Sequence, residues 1–320
     1  MLNRLRMMAI GVVVLALPAS AAAFPEKPVT LVVPFGTGSG SDVMGRALAG
    51  KLSEIWGQRL LVENRPGAAT TLGAAHAAKL PPDGYSLLLA PPPWLITQYV
   101  FDKLSYTTDS FDPISLVAIY PMVFVVPKDS KFTSLKQLVE HARTGGSVSY
   151  ASVGPGSTPH LMGEMLAGQQ KLKLVHVPYG SGGQATVDLI AGRTDFYGGH
   201  PTEVLNHVKA GSLRALAVLA PERLKALPDV PTSSEAGFPD LQIFSWTTIV
   251  APKGTPKTIR DKISADIKTA MEDEKFTSTF QQNGAVFIGS TPEELATFYE
   301  GEHKKFGPLV KSIGIKPVSR

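Results

Sequence analysis

Val29-Thr30-Leu31-Val32-Val33-Pro34-Phe35-Gly36-Thr37-Gly38-Ser39-Gly40-Ser41-Asp42 joins a strand, a glycine-rich turn and a helix start in one stretch. Val29–Pro34 reads as the strand. Asp42–Trp56 reads as the helix, with Val43, Met44, Ala47, Leu48, Leu52 and Ile55 on one face at helical spacing. Between them, glycines let the backbone turn tightly and approach a ligand, while the helix start offers unpaired N–H groups and the positive end of its dipole. An anion fits such a place, and Thr37, Ser39 and Ser41 add hydroxyl donors. Asp42 stands at the expected N-cap, so holding the helix start competes with ligand contact as its role. A dinucleotide site is the rival reading, because Glu63 follows about 20 residues on, where a ribose-binding carboxylate belongs. The glycine spacing rejects it: the last fingerprint position falls on Ser41 or Val43 instead of glycine.

Outward from this unit, short apolar runs alternate with helix-period segments, the pattern of an α/β protein with mostly parallel strands. Strands are expected at Arg59–Glu63 and Tyr85–Ala90, with a helix at Thr71–Lys79 between them. The apolar run Met122–Val126 suits a strand buried on both faces. A second series follows, with helices at Ser134–Arg143, Pro159–Gly168, Gln184–Ala191 and Thr202–Lys209. Its strands fall at Ser147–Ala151, Lys173–Val177, near Asp195, and at Leu213–Leu219. Gln242–Ala251 is apolar again, and Thr291-Pro292-Glu293-Glu294 supplies an N-cap, a first-turn proline and a capping-box glutamate for the last helix. The simplest arrangement is two lobes with a hinge of two crossings, near Pro127 and near Ile249. Lobe I then comprises 24–126 and 249–320, and lobe II 127–248. One continuous doubly wound domain is the competing arrangement.

The second series repeats the loop construction. Ser152-Val153-Gly154-Pro155-Gly156-Ser157-Thr158-Pro159-His160 is a glycine-rich turn with hydroxyls ahead of a proline-started helix. Ser157 and His160 do not make a nucleophile and base: no Gly-x-Ser-x-Gly elbow occurs, and capping is the better reading. A third loop, Pro178-Tyr179-Gly180-Ser181-Gly182-Gly183, again separates a strand from a helix. Such loops meet in the cleft at the carboxyl ends of the strands, where ligands of open α/β sheets bind.

Composition narrows the class. Arg4 and Arg6, an apolar run from Met7 to about Leu17, and Ala21-Ala22-Ala23 have the order of a secretory signal peptide cleaved near Ala23. The run is shorter than the roughly 20 residues that span a bilayer, so the expected location is the periplasm. Without the two leader arginines, 29 basic residues face 27 acidic ones. That balance and the scattered basic residues argue against nucleic acid as a partner. Cysteine is absent, which removes thiolate catalysis and cysteine-held metals. The seven histidines show no i, i+4 pair, so neither metal nor cofactor is expected.

At these loops the chain resembles the substrate-binding proteins of tripartite tricarboxylate transporters, the Bug family. The resemblance is carried by Val62-Glu63-Asn64-Arg65-Pro66-Gly67-Ala68, Pro82-Asp83-Gly84-Tyr85, Gly154-x-Gly156-Ser157-x-x-His160-Leu161 and Val177-Pro178-Tyr179. Pro228-Asp229-Val230-Pro231-Thr232 and Ala251-Pro252-x-Gly254-Thr255-Pro256 continue it. It implies a type II periplasmic binding fold, the two-lobed Venus flytrap, gripping carboxylates through amides, hydroxyls and waters. It puts Gly156, Ser157 and Thr158 on the wall opposite Phe35, Thr37, Gly38 and Ser39, and matches Asp42 and Asp195 to family positions. Thr37-Gly38-Ser39 and Tyr179-Gly180-Ser181 replace the usual Ala-Gly-Gly and Tyr-Lys-Gly, so a cation is lost near the third loop. Pro91-Pro92-Pro93-Trp94 replaces small polar residues, leaving Trp94 as a pocket wall or a packed loop residue.

The function expected from all this is non-enzymatic: a monomer that captures a small carboxylate, an aromatic mono- or dicarboxylic acid included, and delivers it to a membrane permease. Trp94, Tyr179 and His200 are candidate flat walls beside Phe35. A sensor presenting its closed form to a receptor, and a hydrolase, are the alternatives.

Overall fold

The computed structural model describes residues 24–101, 103–154 and 157–312. The expected leader, residues 1–23, and its cleavage point lie outside them, as does Gly156.

The chain begins with β1 (Val29–Val33), α1 (Gly40–Trp56), β2 (Leu60–Asn64), α2 (Thr71–Ala77), β3 (Ser86–Ala90), α3 (Pro92–Ile96) and β4 (Phe111–Pro121). Leu31 and Val33 enter one apolar core and Val32 another, so β1 is buried on both faces and its sequence runs apolar without alternation. Leu48 and Leu52 of α1 cover the first face, and Ala74 of α2 and Trp94 of α3 cover the other. The 11-residue β4 has no counterpart in the sequence reading, since Asp112, Pro113 and Ser115 interrupt its apolar start.

The chain then builds β5 (Val123–Pro127), α4 (Leu135–Arg143), β6 (Ser149–Ser152), α5 (Thr158–Gln170), β7 (Val175–Pro178), α6 (Gly182–Ile190), β8 (Phe196–Gly199), α7 (Pro201–Lys209) and β9 (Leu213–Val218). It returns as β10 (Phe244–Pro252), α8 (Lys257–Met271), α9 (Glu274–Gln282), β11 (Val286–Phe287) and α10 (Pro292–Ser312). Thr291 and Glu294 form the expected reciprocal cap of α10: each backbone N–H donates to the other's side-chain oxygen, at 2.8 and 3.2 Å.

The strands make a six-stranded sheet in the order β11-β4-β10-β3-β1-β2 and a five-stranded sheet in the order β7-β6-β8-β5-β9. Both are mixed. β10 runs antiparallel to β3 and β4, and β5 antiparallel to β8 and β9. The chain changes sheets at Met122, between β4 and β5, and is back in the first sheet at Phe244. Both points lie a few residues ahead of the sequence-based boundaries at 127 and 249, because β5 and β10 each belong wholly to one sheet. The crossings touch: Met122 N–H donates to the Ile243 carbonyl at 3.3 Å, and the Met122 carbonyl accepts from Leu219 N–H at 2.9 Å.

Candidate functional site

The first loop is shaped by one carboxylate. Ser39, not Asp42, is the N-cap of α1: its Oγ accepts from Asp42 N–H at 3.2 Å. The helix starts two residues earlier than expected because Ser39 takes the capping conformation, and this places Asp42 inside the first turn. From there Asp42 Oδ2 accepts from Gly38 N–H at 2.8 Å and from Arg46 Nε at 3.0 Å, while Oδ1 accepts from Asn64 Nδ2 at 2.8 Å. Gly38 has φ of 83°, a left-handed turn that glycine adopts without strain. Asp42 is 2% exposed, and the Arg46 guanidinium, helped by the Gly38 amide, holds its carboxyl down to about 2. Three accepted bonds turn the carboxylate inward, so Asp42 holds the loop, and it is not part of the cleft lining.

Asn64 completes the brace. Its Nδ2 also donates to the Phe35 carbonyl at 3.0 Å, and its Oδ1 accepts from Arg46 Nη2 at 2.8 Å and Thr37 Oγ1 at 3.3 Å. The sequence reading passed over Asn64 as a site residue. The available signal was its place at the end of β2, in register with Val33 at the mouth of the loop.

The braced loop opens on a cleft of about 400 Å³. Phe35 and Gly38–Ser41 line one side with Val43. The end of β4 contributes Tyr120, the start of β10 contributes Ser245–Thr247, the start of α7 contributes His200 and Thr202, and the end of α9 contributes Phe280 and Asn283. Among these residues there is no Asp, Glu, Lys or Arg. His200 is the N-cap of α7, its Nδ1 accepting from Thr202 N–H at 3.4 Å, and its ring lies 5.2 Å from that of Tyr120. Burial pushes its pKa down to about 4, so the imidazole is neutral at neutral pH. Tyr120, bonded to Thr247, is likewise raised by burial and stays a phenol.

Of the residues expected at the site, the cleft thus gathers Phe35, Gly38, Ser39 and His200. Thr37 lies beside it, spent on Asn64. Trp94 does not reach it: the indole is 1% exposed and packs against Phe111 and Tyr299 at centroid distances of 5.7 and 5.3 Å. The proline run that suggested a loop instead starts α3 and drives the ring into the core. Asp195 sits at the wrong end of its sheet. It accepts from Ser149 N–H and Oγ at 2.7 and 2.8 Å, at the start of β6, whereas the ligand loop follows the end of that strand.

Ser157 and Thr158 begin α5 after β6, in the second lobe, but line no part of the cleft as it stands. Ser157 is the N-cap residue, yet its hydroxyl makes no cap bond and donates instead to the Gly154 carbonyl at 2.6 Å. Tyr179 is anchored by its N–H to the Ser152 carbonyl at 2.8 Å and packs on the second-sheet core. Burial, followed by the neighbouring Asp188, raises its hydroxyl. Gly180 precedes Ser181, which caps α6 through Gln184 N–H at 3.3 Å. These three also stand off the cleft lining. Tyr120, Ser245, Thr247, Phe280 and Asn283 were not anticipated. Polar residues inside the apolar β10 were a usable signal for Ser245 and Thr247, whereas Phe280 and Asn283 arrive by tertiary packing alone. Among the described residues no cluster of three His, Asp or Glu side chains is placed to hold a metal, and no helix is long and apolar enough to cross a membrane.

Two α/β sheets linked by paired crossings, with a hydroxyl- and aromatic-lined cleft at a helix start between them, define a two-lobed ligand-binding protein. Residues 44–315 match the tripartite tricarboxylate transporter family receptor, and the chain belongs to that family. BugT of Bordetella pertussis is 32% identical over 306 residues, 94% of each chain. Among solved structures, a TctC solute-binding protein from Polaromonas without ligand aligns with a TM-score of 0.83 and 27% identity, covering 90% of this chain and 99% of that one. Rpa4515 of R. palustris with adipate gives 0.74 and 30%, over 92% of this chain and all of that one. MatC of Rhodopseudomonas palustris with bound malate gives 0.70 and 28%, over 90% of this chain and 100% of that one.

Proposed function

We propose that this protein captures a small carboxylate in the cleft, closes its lobes about it, and presents it to the permease of a tripartite transporter from the periplasm, without chemical turnover. The observation that carries this reading is the start of α1, where Ser39–Ser41 face a cleft free of charged side chains. Helix-start amides and hydroxyls stabilise a carboxylate there by hydrogen bonds and the dipole, with no need for a buried cation. The bound malate and adipate of the two related structures support the ligand class. The paired crossings at Met122 and Ile243 are suited to a hinge, because small dihedral changes at two adjacent strands rotate one lobe on the other. Closure would bring Ser157 and Thr158 toward the ligand. Aromatic acids belong among the candidates, since Phe35, Tyr120 and His200 provide flat surfaces.

Calorimetry against malate, adipate, benzoate, phthalate and an uncharged amide series tests the class. Stoichiometric binding of an acid, recovered unchanged after long incubation, is the expected result. Binding confined to uncharged solutes, or conversion of the acid, overturns the reading.

A further inference from the structure

The cleft is chemically lopsided. Its free helix-start amides are those of α1, because α7 begins with Pro201, which has no N–H, and His200 takes the Thr202 amide; the lining also holds Tyr120, His200, Phe280 and Asn283. The charges nearest the loop are already spent: Asp42 and Arg46 are paired with each other and with Asn64. His200 cannot replace them as a cation, because its Nδ1 takes the Thr202 amide and burial opposes protonation. A second carboxylate within the cleft would be desolvated with no cationic side chain in the lining to pair with it. An apolar tail would be covered by Val43, 50% exposed at the cleft, and by the Phe35 and Phe280 rings of the same lining.

Phe280 is the apolar part of this wall. It lies in the last turn of α9 (Glu274–Gln282), a nine-residue helix in which only Thr277 is fully buried. The helix is held by Asp273, which caps it through the amides of Lys275 and Phe276 at 2.8 and 3.2 Å and pairs with Lys51 of α1. The Phe280 ring packs with Phe276 and Phe287 at 5.9 and 6.1 Å. Asn283 follows at the C-terminus of α9, a neutral amide at the end of the cleft.

We propose that Phe280 and Asn283 form the selectivity wall of the cleft, so that the preferred ligand carries one carboxylate and an uncharged, ring-bearing tail. This rests on the carboxylate reading above and narrows it. The wall excludes a second charge by leaving it unpaired and gains from a ring by stacking and burial.

Calorimetry on the purified protein with benzoate, phthalate, malate and adipate decides it. Benzoate should bind more tightly than malate or adipate. Phe280→Ala should shrink that preference by about tenfold, the loss of an aromatic contact together with the area it covers. Asn283→Arg should tighten phthalate relative to benzoate, by supplying the missing cation. Thermal melts establish that each variant is folded, and Phe280→Leu keeps the apolar volume should the alanine variant not fold. Equal affinity for all four acids in the wild type, or an unchanged preference in both Phe280 variants, overturns the selectivity wall and leaves carboxylate capture standing. No binding of any acid overturns both.

Discussion

Replacing Asp42 by asparagine tests whether the first loop is held together from within. The carboxylate accepts from Gly38 N–H, Arg46 Nε and Asn64 Nδ2 at 2.8, 3.0 and 2.8 Å. A hydrogen bond to a charged group contributes about 1.5–3 kcal/mol. Asparagine keeps one acceptor oxygen, so the three bonds are not all lost, and the half-exposed Arg46 is screened by solvent. Its new NH₂ would face donors, which adds to the cost. The expected loss is about 2–3 kcal/mol, from two weakened charge-assisted bonds, or a fall in Tm of roughly 4–10 °C for a chain of this size. Acid unfolding gives a second readout. A carboxyl held at about 2 against an ordinary 3.8 contributes stability that is complete above about pH 4 and disappears as the pH falls through about 2. The stability of Asp42→Asn should therefore fall less steeply over that interval than that of the wild type. Denaturant titrations at pH 7, 4, 3 and 2 measure both effects. A variant within about 0.5 kcal/mol of wild type, the range of an inert surface change, yet tenfold weaker for its carboxylate, would refute the argument and make Asp42 a ligand contact.

Trp94→Ala should destabilise the fold by about 3–5 kcal/mol, the cost of emptying a buried aromatic site, while the folded fraction binds acids as before. A selective loss of benzoate affinity at unchanged stability would put the indole back in the cleft. Ser157→Ala combined with Thr158→Ala should weaken carboxylate binding by about 1.5–3 kcal/mol per lost bond to the anion; unchanged calorimetric affinity removes this loop from the closed site. His200, with its pKa lowered to about 4, gives stability that is full above the unfolded value near 6.5 and declines as the pH drops toward 4. His200→Gln should flatten that decline in urea titrations between pH 7 and 4, and an unaltered slope would count against a neutral buried imidazole.

The sequence is most legible where local chemistry and tertiary structure agree. The β1 loop, the α10 capping box and the alternating strands and helices follow from glycine placement, caps and apolar period, which are properties of a few neighbouring residues. It is least legible where distant segments decide. Asp42 looked like an N-cap because its type fits the role, but Ser39, also a good cap, won the position and released Asp42 to bind Gly38. Trp94 after three prolines read equally as a pocket wall or a packed loop residue, yet prolines are accepted in the first turn of a helix, and α3 turns the ring into the core. The antiparallel placement of β4 beside β10 was invisible because its polar interruptions break the pattern, and with it went Tyr120 at the cleft.

The lobes are joined by more than two strands. One apolar core runs from Trp94, Trp246 and Phe306 of the first lobe through Leu241 and Ile243 at the second crossing to Phe124, Leu161 and Phe196 of the second. α10 packs against α5 across the same side. The cleft opens elsewhere, between the starts of α1 and α7 and the end of α9. A close-packed core resists opening but tolerates small sliding of helices, because gaps within it forfeit dispersion contacts. The closure proposed above would then be a rotation that widens or narrows the cleft while the α5–α10 side stays packed. Met122 lies beside the pivot, its backbone bonded to Ile243 and Leu219. Tyr120 and Ser245, opposite each other in β4 and β10, lie next to that pivot and in the cleft wall at once. On that proposal, a ligand that touches Tyr120 would bear directly on the strands that bend, coupling occupancy of the cleft to the angle between the lobes without any intervening element.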